Sequence, residues 1–177
     1  MSNELRIAIS GKSGCGNTTV SRLVADRLGL RVINYTFKDL ARDRGMSFDE
    51  LSLKAETDPQ YDHAVDRMQV ERALKEPCVI GSRLAIWLLR DKAFTVYLEA
   101  PPKVRAARIA KREGGDLPTA EARTADRDRR DRERYRRLYG YNVDDYAFAS
   151  LIVHTEAMGA EAAADLIVQE ALSSAGR

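Results

Sequence analysis

A glycine-rich segment near the start of the chain has the residue types and spacing of a phosphate-binding loop. It is Gly11-Lys12-Ser13-Gly14-Cys15-Gly16-Asn17-Thr18-Thr19, and it directly follows an apolar run at residues 5–10. In the pattern G-x-x-x-x-G-K-[ST], glycines let consecutive backbone N–H groups turn inward around a phosphate oxygen. The N-terminus of the following helix adds a positive partial charge. The segment predicts a site for nucleotide phosphates, with the Thr18 hydroxyl on Mg²⁺. The alternative is a glycine turn that binds no ligand.

Asn17 stands at the position where the pattern has a lysine. Phosphoryl transfer depends on positioning and on electrostatic stabilisation, so another cation must lie near the transferring group. Lys12, in the same loop, or an arginine elsewhere in the chain is the expected replacement. If Lys12 has this catalytic role, its replacement by alanine would reduce turnover by about 10²-fold, the effect of losing one transition-state donor. The alternative is that Lys12 is an exposed side chain with no part in the reaction.

The second segment with the residue types for chemistry is the arginine-rich stretch from Arg127 to Arg137. Between positions 103 and 137 there are thirteen lysines and arginines against seven acidic residues, whereas the whole chain has a net charge of only +2. Arg127, Asp131 and Arg134 lie at i, i+4 and i+7, which places them on one face of a helix. Arginine is favoured at phosphate sites because its planar fork binds two oxygen atoms at once. These side chains are therefore candidate ligands for nucleotide phosphates.

Gly114-Gly115 separates this stretch from a preceding helical segment that also contains arginines. Two arginine-bearing helices joined by a hinge are typical of a lid that closes over phosphates and excludes water. The plain alternative is an exposed helix with ion pairs such as Asp126–Arg130 and Asp128–Arg132. An RNA-binding helix is a further interpretation. The interleaved acidic residues and the scarcity of aromatic residues argue against it, so no nucleic-acid partner is expected.

The elements that must position these residues alternate between strand-like and helix-like patterns along the chain. Such alternation predicts an α/β protein with a parallel sheet and helices on both faces. We expect one domain, residues 1–177, with the P-loop three-layer fold, a five-stranded parallel sheet and a helical lid. The predicted strands are Leu5–Ser10, Arg31–Tyr35, Cys78–Ser82, Phe94–Ala100 and Leu151–Thr155. The predicted helices are Asn17–Leu28, Thr36–Arg44, Phe48–Ala55, Tyr61–Lys75, Leu84–Leu89, Pro102–Arg112, Pro118–Tyr139 and Glu161–Ser173.

The composition is that of an ordinary globular protein, with 44% hydrophobic and 32% charged residues. No apolar stretch approaches the roughly 18 residues needed to cross a bilayer, so no membrane partner is expected. Residues 1–4 do not have a signal-peptide layout, and two cysteines are too few for a disulfide framework, which favours a cytoplasmic location. Cys15 is interpreted as a small filler residue, with the alternative that a nearby helix N-terminus makes its thiol acidic.

At the arginine-rich stretch the chain resembles the cytidylate kinases, over nearly its full length. Arg127-Asp128-x-Arg130-Asp131-x-x-Arg134 is similar to the RDxRDxxR lid motif of bacterial cytidylate kinases. The small archaeal-type and spirochaete-type members are closer in length and layout. Their similar stretches correspond to Phe37-Lys38-Asp39-Leu40-Ala41-Arg42, Val65-Asp66-Arg67, Gly81-Ser82-Arg83-Leu84, Arg105-Ala106-Ala107-Arg108 and Arg134-Tyr135-x-x-Leu138-Tyr139-Gly140.

The resemblance implies transfer of a phosphoryl group from ATP to CMP or dCMP, giving ADP and CDP or dCDP, with Mg²⁺ present. It also implies acceptor-binding helices at about residues 36–76 and an arginine-rich lid at about residues 108–139. In the lid, Arg127 is expected to contact the phosphates, Arg134 to clamp the acceptor phosphate and Asp131 to hold the ribose.

Outside the lid, the resemblance implies three further substrate contacts. Arg83 matches an arginine that faces the monophosphate. Lys38 stands where the family has an arginine, so a two-point phosphate contact would become a one-point contact. Leu84 stands where bacterial members have an aspartate that recognises cytosine. Asp66 is the candidate substitute, because a carboxylate accepts a hydrogen bond from an exocyclic amine. A salt-bridged helix surface at Asp66 is the alternative.

The expected function is therefore that of a cytidylate kinase, acting as a monomer on small-molecule substrates. One alternative is a P-loop kinase for another small acceptor, such as UMP or a non-nucleotide metabolite. The other is a nucleotide-binding regulator that retains the kinase fold but has little turnover, because the loop lacks its lysine.

Overall fold

Five parallel strands form the sheet on which the rest of the molecule is built. The computed structural model describes residues 5–176; residues 1–4, to which the signal-peptide argument refers, and residue 177 lie outside them. The strand order is β2-β3-β1-β4-β5, and every neighbouring pair is parallel, which confirms the predicted sheet. The strands are β1 (Arg6–Gly11), β2 (Arg31–Ile33), β3 (Cys78–Gly81), β4 (Phe94–Glu99) and β5 (Leu151–His154).

Helices connect these strands, and several begin at side chains that cap them. Thr36 and Asp39 form a reciprocal capping box, and the Asp116 side chain accepts a hydrogen bond from the backbone N–H of Thr119. None of the helices described between residues 5 and 176 is both long and apolar enough to cross a membrane. They are α1 (Asn17–Leu28), α2 (Phe37–Asp43), α3 (Phe48–Thr57), α4 (Gln60–Lys75), α5 (Ala85–Leu88), α6 (Pro102–Glu113), α7 (Leu117–Tyr139) and α8 (Ala160–Ala175).

The central strand β1 has apolar residues on both faces because helices cover both sides of the sheet. Ile7 and Ile9 pack in a core with α1 and α8, whereas Ala8 packs on the opposite face with residues of α4 and α5. All three side chains are fully buried. A strand buried on both faces is expected to be apolar on both, as residues 7–9 are. The three-layer arrangement is thereby confirmed.

Helices α2, α3 and α4 share an apolar cluster of their own. Its buried members include Tyr35, Leu40, Leu51, Tyr61 and Val65. Leu51, at the centre of α3, is completely buried. This separate cluster fixes α2 and α3 relative to one another at the edge of the site.

The carboxyl ends of the strands bring distant parts of the chain together, as is usual in open parallel sheets. Gly11 ends β1 and begins the glycine-rich loop, and Ser82-Arg83 directly follow β3. Ala100 follows β4, and Thr155 follows β5. Candidate residues that are far apart in the sequence therefore lie at one edge of the sheet.

Candidate functional site

Residues 11–19 form a loop that runs from the end of β1 into the first turn of α1. Gly14 and Gly16 have φ angles of 86° and 99°, a backbone region that side chains with a Cβ atom rarely adopt. Thr18 and Thr19 are exposed in the first helical turn. The loop therefore presents an open helix N-terminus, the arrangement that binds phosphate groups.

Asn17 closes the loop through its side-chain amide. Its Nδ2 donates a 2.7 Å hydrogen bond to the carbonyl oxygen of Gly11 and so joins the two ends of the loop. Its Oδ1 is buried and has no hydrogen-bond partner among the residues that the structure describes. An amide holds the loop together but supplies no positive charge, so the cation must come from another side chain.

Two arginines from different elements meet at the hydroxyl of Ser13. Arg83 Nη2 donates to Ser13 Oγ over 2.7 Å, and Arg127 Nη1 donates to the same oxygen over 3.2 Å. Arg83 also donates to the carboxylate of Asp131, one helical turn after Arg127 on α7. Burial raises the pKa of Asp131, and the neighbouring Arg83 and Arg127 guanidinium groups oppose that shift. The structure therefore brings these three predicted site residues together at the loop.

Lys12 forms an ion pair with Asp144. Its Nζ lies 2.7 Å from Asp144 Oδ1, and Nε of Arg132 on α7 lies 2.6 Å from Oδ2 of the same carboxylate. The hydrogen bond from Lys12 is the main cause that lowers the pKa of Asp144. Asp144, 132 positions after Lys12, thus connects the glycine-rich loop to α7.

Two arginines of α6 hold the outer side of the loop. Arg105 Nη1 donates to the carbonyl oxygen of Ser13 over 3.1 Å, and Arg108 Nη1 donates to that of Gly14 over 3.2 Å. Arg105 is only 3% exposed and forms a two-point pair with Asp128 of α7. In a trans peptide the C=O and N–H groups point in opposite directions. The Ser13 carbonyl therefore faces the Arg105 guanidinium group, and the N–H of Gly14 points away from that group.

The ion pairs of α7 agree only in part with those expected from the sequence. Asp126 Oδ2 lies 2.9 Å from Arg130 Nε, as predicted for positions four residues apart. The predicted Asp128–Arg132 pair is wrong, because Asp128 faces Arg105 on the neighbouring helix and Arg132 binds the segment that follows α7. A buried arginine across the helix interface thus takes the place of the surface partner.

A cavity of about 640 Å³ lies between α2, α3 and α7. Lys38 and Arg134, the predicted ligands of the acceptor phosphate, both line it. Arg134 donates to Asp62, a buried carboxylate of α4, and its guanidinium carbon lies 5.8 Å from the centroid of the Phe37 ring. Asp62 therefore orients Arg134 at the cavity wall. Because Arg127 and Arg134 share a face of α7, the cavity and the glycine-rich loop lie along the same helix.

Asp66 is not among the side chains that line this cavity. Its Oδ2 accepts a 2.5 Å hydrogen bond from the hydroxyl of Tyr139, the last residue of α7. Burial raises the pKa of Asp66, and the hydrogen bond from Tyr139 opposes that shift. The partner is a neutral phenol rather than the cation of a salt-bridged helix surface. The role of Asp66 in base recognition stays a prediction.

Cys15 is 2% exposed and packs in the core beneath the loop. Burial raises the pKa of its thiol more than the nearby Arg105 lowers it. The alternative of an acidic thiol is not supported, because loss of hydration outweighs the favourable charges. Its position agrees with the role of a small filler residue.

Sequence reasoning missed the partners that hold the site residues in place. Asp62 is 72 positions from Arg134, and Asp144 is 132 positions from Lys12. No local pattern marks such pairs, because helix periodicity relates only residues within one element. Asp62 is buried and so requires a partner, whereas Asp144 is exposed and no signal in the sequence marks its pairing.

Comparison with known proteins identifies the family. Residues 6–157 match the Cytidylate kinase-like family. The chain belongs to this family. Cytidylate kinase 2 of Borreliella afzelii (strain PKo) is 42% identical over 146 residues, which cover 81% of this chain and 82% of that protein. Cytidylate kinase of Pyrococcus horikoshii is 38% identical over 155 residues, 86% of this chain and 81% of that protein. These matches confirm the resemblance that the lid and loop motifs indicated.

Solved structures of more distant kinases have the same fold. Shikimate kinase from Acinetobacter baumannii in complex with shikimate has a TM-score of 0.64 at 19% identity and matches 96% of this chain and 94% of that one. Deoxyadenosine kinase from M. mycoides with bound dCTP has a TM-score of 0.54 at 16% identity and matches 96% of this chain and 100% of that one. At such identities the likeness shows the fold alone, and it confirms a P-loop kinase fold.

Proposed function

We propose that this chain transfers the γ-phosphoryl group of ATP to CMP or dCMP, giving ADP and CDP or dCDP. The observation that carries the proposal is the convergence of Arg83 and Arg127 on Ser13 of the glycine-rich loop, beside a cavity lined by Lys38 and Arg134. A donor phosphate at the loop and an acceptor phosphate in the cavity would meet along one face of α7, which positions them for direct transfer. Membership of the cytidylate kinase-like family supports CMP as the acceptor.

In this reaction the N–H groups of the loop bind the donor phosphates, and Arg83 and Arg127 neutralise the charge that develops on the transferring group. Arg134, oriented by Asp62, binds the acceptor phosphate through the nitrogen atoms that it does not donate to that carboxylate. Asp131 holds the ribose of the acceptor once Arg83 has turned to a phosphate. These roles need no covalent intermediate with the protein.

The Thr18 hydroxyl fits the expected contact with Mg²⁺, because it is exposed in the first turn of α1. Among residues 5–176 no three His, Cys, Asp or Glu side chains are grouped to hold a metal ion. In nucleotide sites Mg²⁺ is bound mainly by phosphate and water oxygens, with only one or two protein ligands. A single hydroxyl is therefore an adequate protein contribution, and the ion would offset negative charge on the donor phosphates.

We assign about residues 36–76 to acceptor binding and about residues 108–139 to a lid that closes over the phosphates. Gly114 and Gly115, with φ angles of 78° and 110°, lie between α6 and α7 and supply the hinge. On closing, the arginine contacts that α7 now makes with Ser13 would be exchanged for contacts with phosphate oxygens. We further propose that the enzyme acts as a monomer in the cytoplasm.

Formation of ADP from ATP and Mg²⁺ with a panel of acceptors tests the proposal. We expect turnover with CMP and dCMP to exceed that with UMP, AMP and shikimate. Turnover restricted to a different acceptor would replace the proposed substrate. Tight ATP binding by calorimetry with no acceptor-dependent turnover would instead favour a regulator that retains the kinase fold.

The contribution of Lys12 can be separated from that of its partner. Lys12→Ala is expected to reduce kcat by about 10²-fold, because it removes one donor to the transition state. The matched variant, Asp144→Asn, removes the ion pair but keeps the ammonium group, so most of the activity should remain. Equal losses in the two variants would mean that Lys12 only tethers the loop, and unchanged turnover in Lys12→Ala would remove it from the mechanism.

A further inference from the structure

Among the described residues that line the cavity between α2, α3 and α7, Glu56 supplies the one carboxylate. The other lining side chains include three cations and two aromatic rings, besides hydroxyl groups. The cations are Lys38, Arg134 and Arg137, and the rings are Phe37 and Phe48. Cations suit a phosphate group, an aromatic wall suits a flat base, and a single carboxylate suits a hydrogen-bond donor on the edge of that base.

Helix α3 presents one continuous face to this cavity. Phe48, Ser52 and Glu56 recur at intervals of four residues, which places them above one another along the helix. The Lys38 ammonium group lies 5.9 Å from the centroid of the Phe48 ring, at the beginning of α3. Glu56 lies in the last turn, about 12 Å further along the helix axis at 1.5 Å per residue. The face therefore runs from a cationic end to an acidic end.

The carboxylate of Glu56 is not engaged by any cation in the part of the chain that the structure describes. Lys54, on the same helix, lies 3.2 Å from Glu50 instead. Within residues 5–176 no cation forms an ion pair with Glu56. Glu56 is exposed and lines the cavity, so its carboxylate oxygens can accept hydrogen bonds from a bound molecule. Asp62 and Asp66 differ in this respect, because each already accepts a hydrogen bond from α7.

We propose that Glu56 recognises the base of the acceptor by accepting a hydrogen bond from the exocyclic amine of cytosine. The acceptor phosphate would lie at the cationic end with Lys38 and Arg134, and the base would lie beside Phe48 with its amine toward Glu56. Uracil carries a carbonyl oxygen in place of that amine, and a carboxylate repels it because both groups only accept hydrogen bonds. This assignment rests on the proposed kinase function. It makes Glu56 the residue that gives the acceptor site its preference for CMP over UMP.

The sequence-based candidate for this role is Asp66. Replacement of Asp66 and replacement of Glu56 are therefore expected to have different effects on acceptor choice. Asp66 lies one helical turn after Asp62 on α4, and its hydrogen bond with Tyr139 connects α4 to the end of the lid helix. Replacing Asp66 by asparagine should weaken the contact between α4 and the lid, and so change kcat/KM for all acceptors by a similar factor. Replacing Glu56 should change the choice between acceptors.

Glu56→Gln is the variant that tests the proposal, because glutamine has nearly the same shape but can donate to a carbonyl oxygen. The ratio of kcat/KM for CMP to that for UMP is expected to fall by about 10- to 100-fold, since the substitution weakens a charge-assisted hydrogen bond to the amine of cytosine and permits one to the carbonyl oxygen of uracil. The matched control is Glu50→Gln, an exposed carboxylate of the same helix outside the cavity lining, which should leave the ratio unchanged.

Calorimetric titration with CMP and with UMP measures the same discrimination without turnover, so failure of the proposed kinase function would be seen separately. A lower affinity for CMP and a higher affinity for UMP in Glu56→Gln would support the assignment. An unchanged ratio, or an equal loss for both nucleotides, would overturn it. A ratio that changes in Asp66→Asn and not in Glu56→Gln would return base recognition to Asp66.

Discussion

Replacing Arg83 with alanine is expected to reduce kcat for ADP formation from ATP and CMP by about 10³-fold, the upper end of the effect of losing one transition-state donor. Arg83 follows β3 directly and donates to both Ser13 of the glycine-rich loop and Asp131 of the lid helix. It therefore lies between the donor and acceptor sides of the site. Because Asn17 carries no charge, the position where the loop pattern has a lysine cannot compensate for the loss of this guanidinium group.

Two further variants separate the role of Arg83 from a general loss of charge. Arg83→Lys keeps the positive charge but loses the planar fork, so an intermediate kcat is expected if one guanidinium group serves two partners at once. Arg129→Ala removes an exposed arginine of α7 that, among residues 5–176, pairs only within its own helix, with Asp126 and Glu133, and should leave kcat nearly unchanged. Equal kcat values for Arg83→Ala and Arg129→Ala would contradict the assignment of Arg83 to the reaction.

The sequence predicted the elements well because each one is specified by a local pattern. The largest difference in a strand boundary is at β2, which ends at Ile33 rather than at Tyr35. Tyr35 leaves the sheet because the side-chain amide of Gln69 donates to its carbonyl oxygen over 2.7 Å and its hydroxyl donates to Asp43. These partners satisfy the backbone and side chain without a neighbouring strand, and no periodic pattern in residues 31–35 indicates them.

The site was predictable to the level of residue types but not of pairings. Spacing placed Arg127 and Asp131 on one helix face, and the structure brings both to Arg83 at the loop. Which carboxylate meets which cation depends instead on the distance and angle between elements. Lys12 was expected to be either at a phosphate or exposed, and its pairing with Asp144 follows from the course of the segment after α7. Such contacts become visible only once the helices are packed.

The pair formed by Arg105 and Asp128 is the most buried ion pair at the site, with side chains 4% and 13% exposed. It joins α6 to α7, while Arg105 also donates to the carbonyl oxygens of Ser13 and Ala100. Removing one partner of a buried pair leaves an uncompensated charge in a poorly hydrated environment. Asp128→Asn is therefore expected to reduce the free energy of unfolding by about 3 kcal/mol, measured by urea denaturation.

Asp126→Asn is the matched control, because Asp126 lies two residues earlier on α7 and pairs with Arg129 and Arg130 at the surface. Exposed pairs contribute little to stability, so its denaturation midpoint should stay close to that of the unaltered chain. Equal midpoints for the two variants would show that burial does not strengthen the inner pair. Combining Arg105→Met with Asp128→Leu should recover stability, because apolar residues of similar volume remove the unpaired charge.

The same double variant should still have a reduced kcat. With Arg105 replaced, no side chain holds the carbonyl oxygen of Ser13 and so fixes the direction of the N–H of Gly14. Stability without activity would thus identify Arg105 as a residue that positions the phosphate-binding loop, whereas recovery of both would assign it to folding alone.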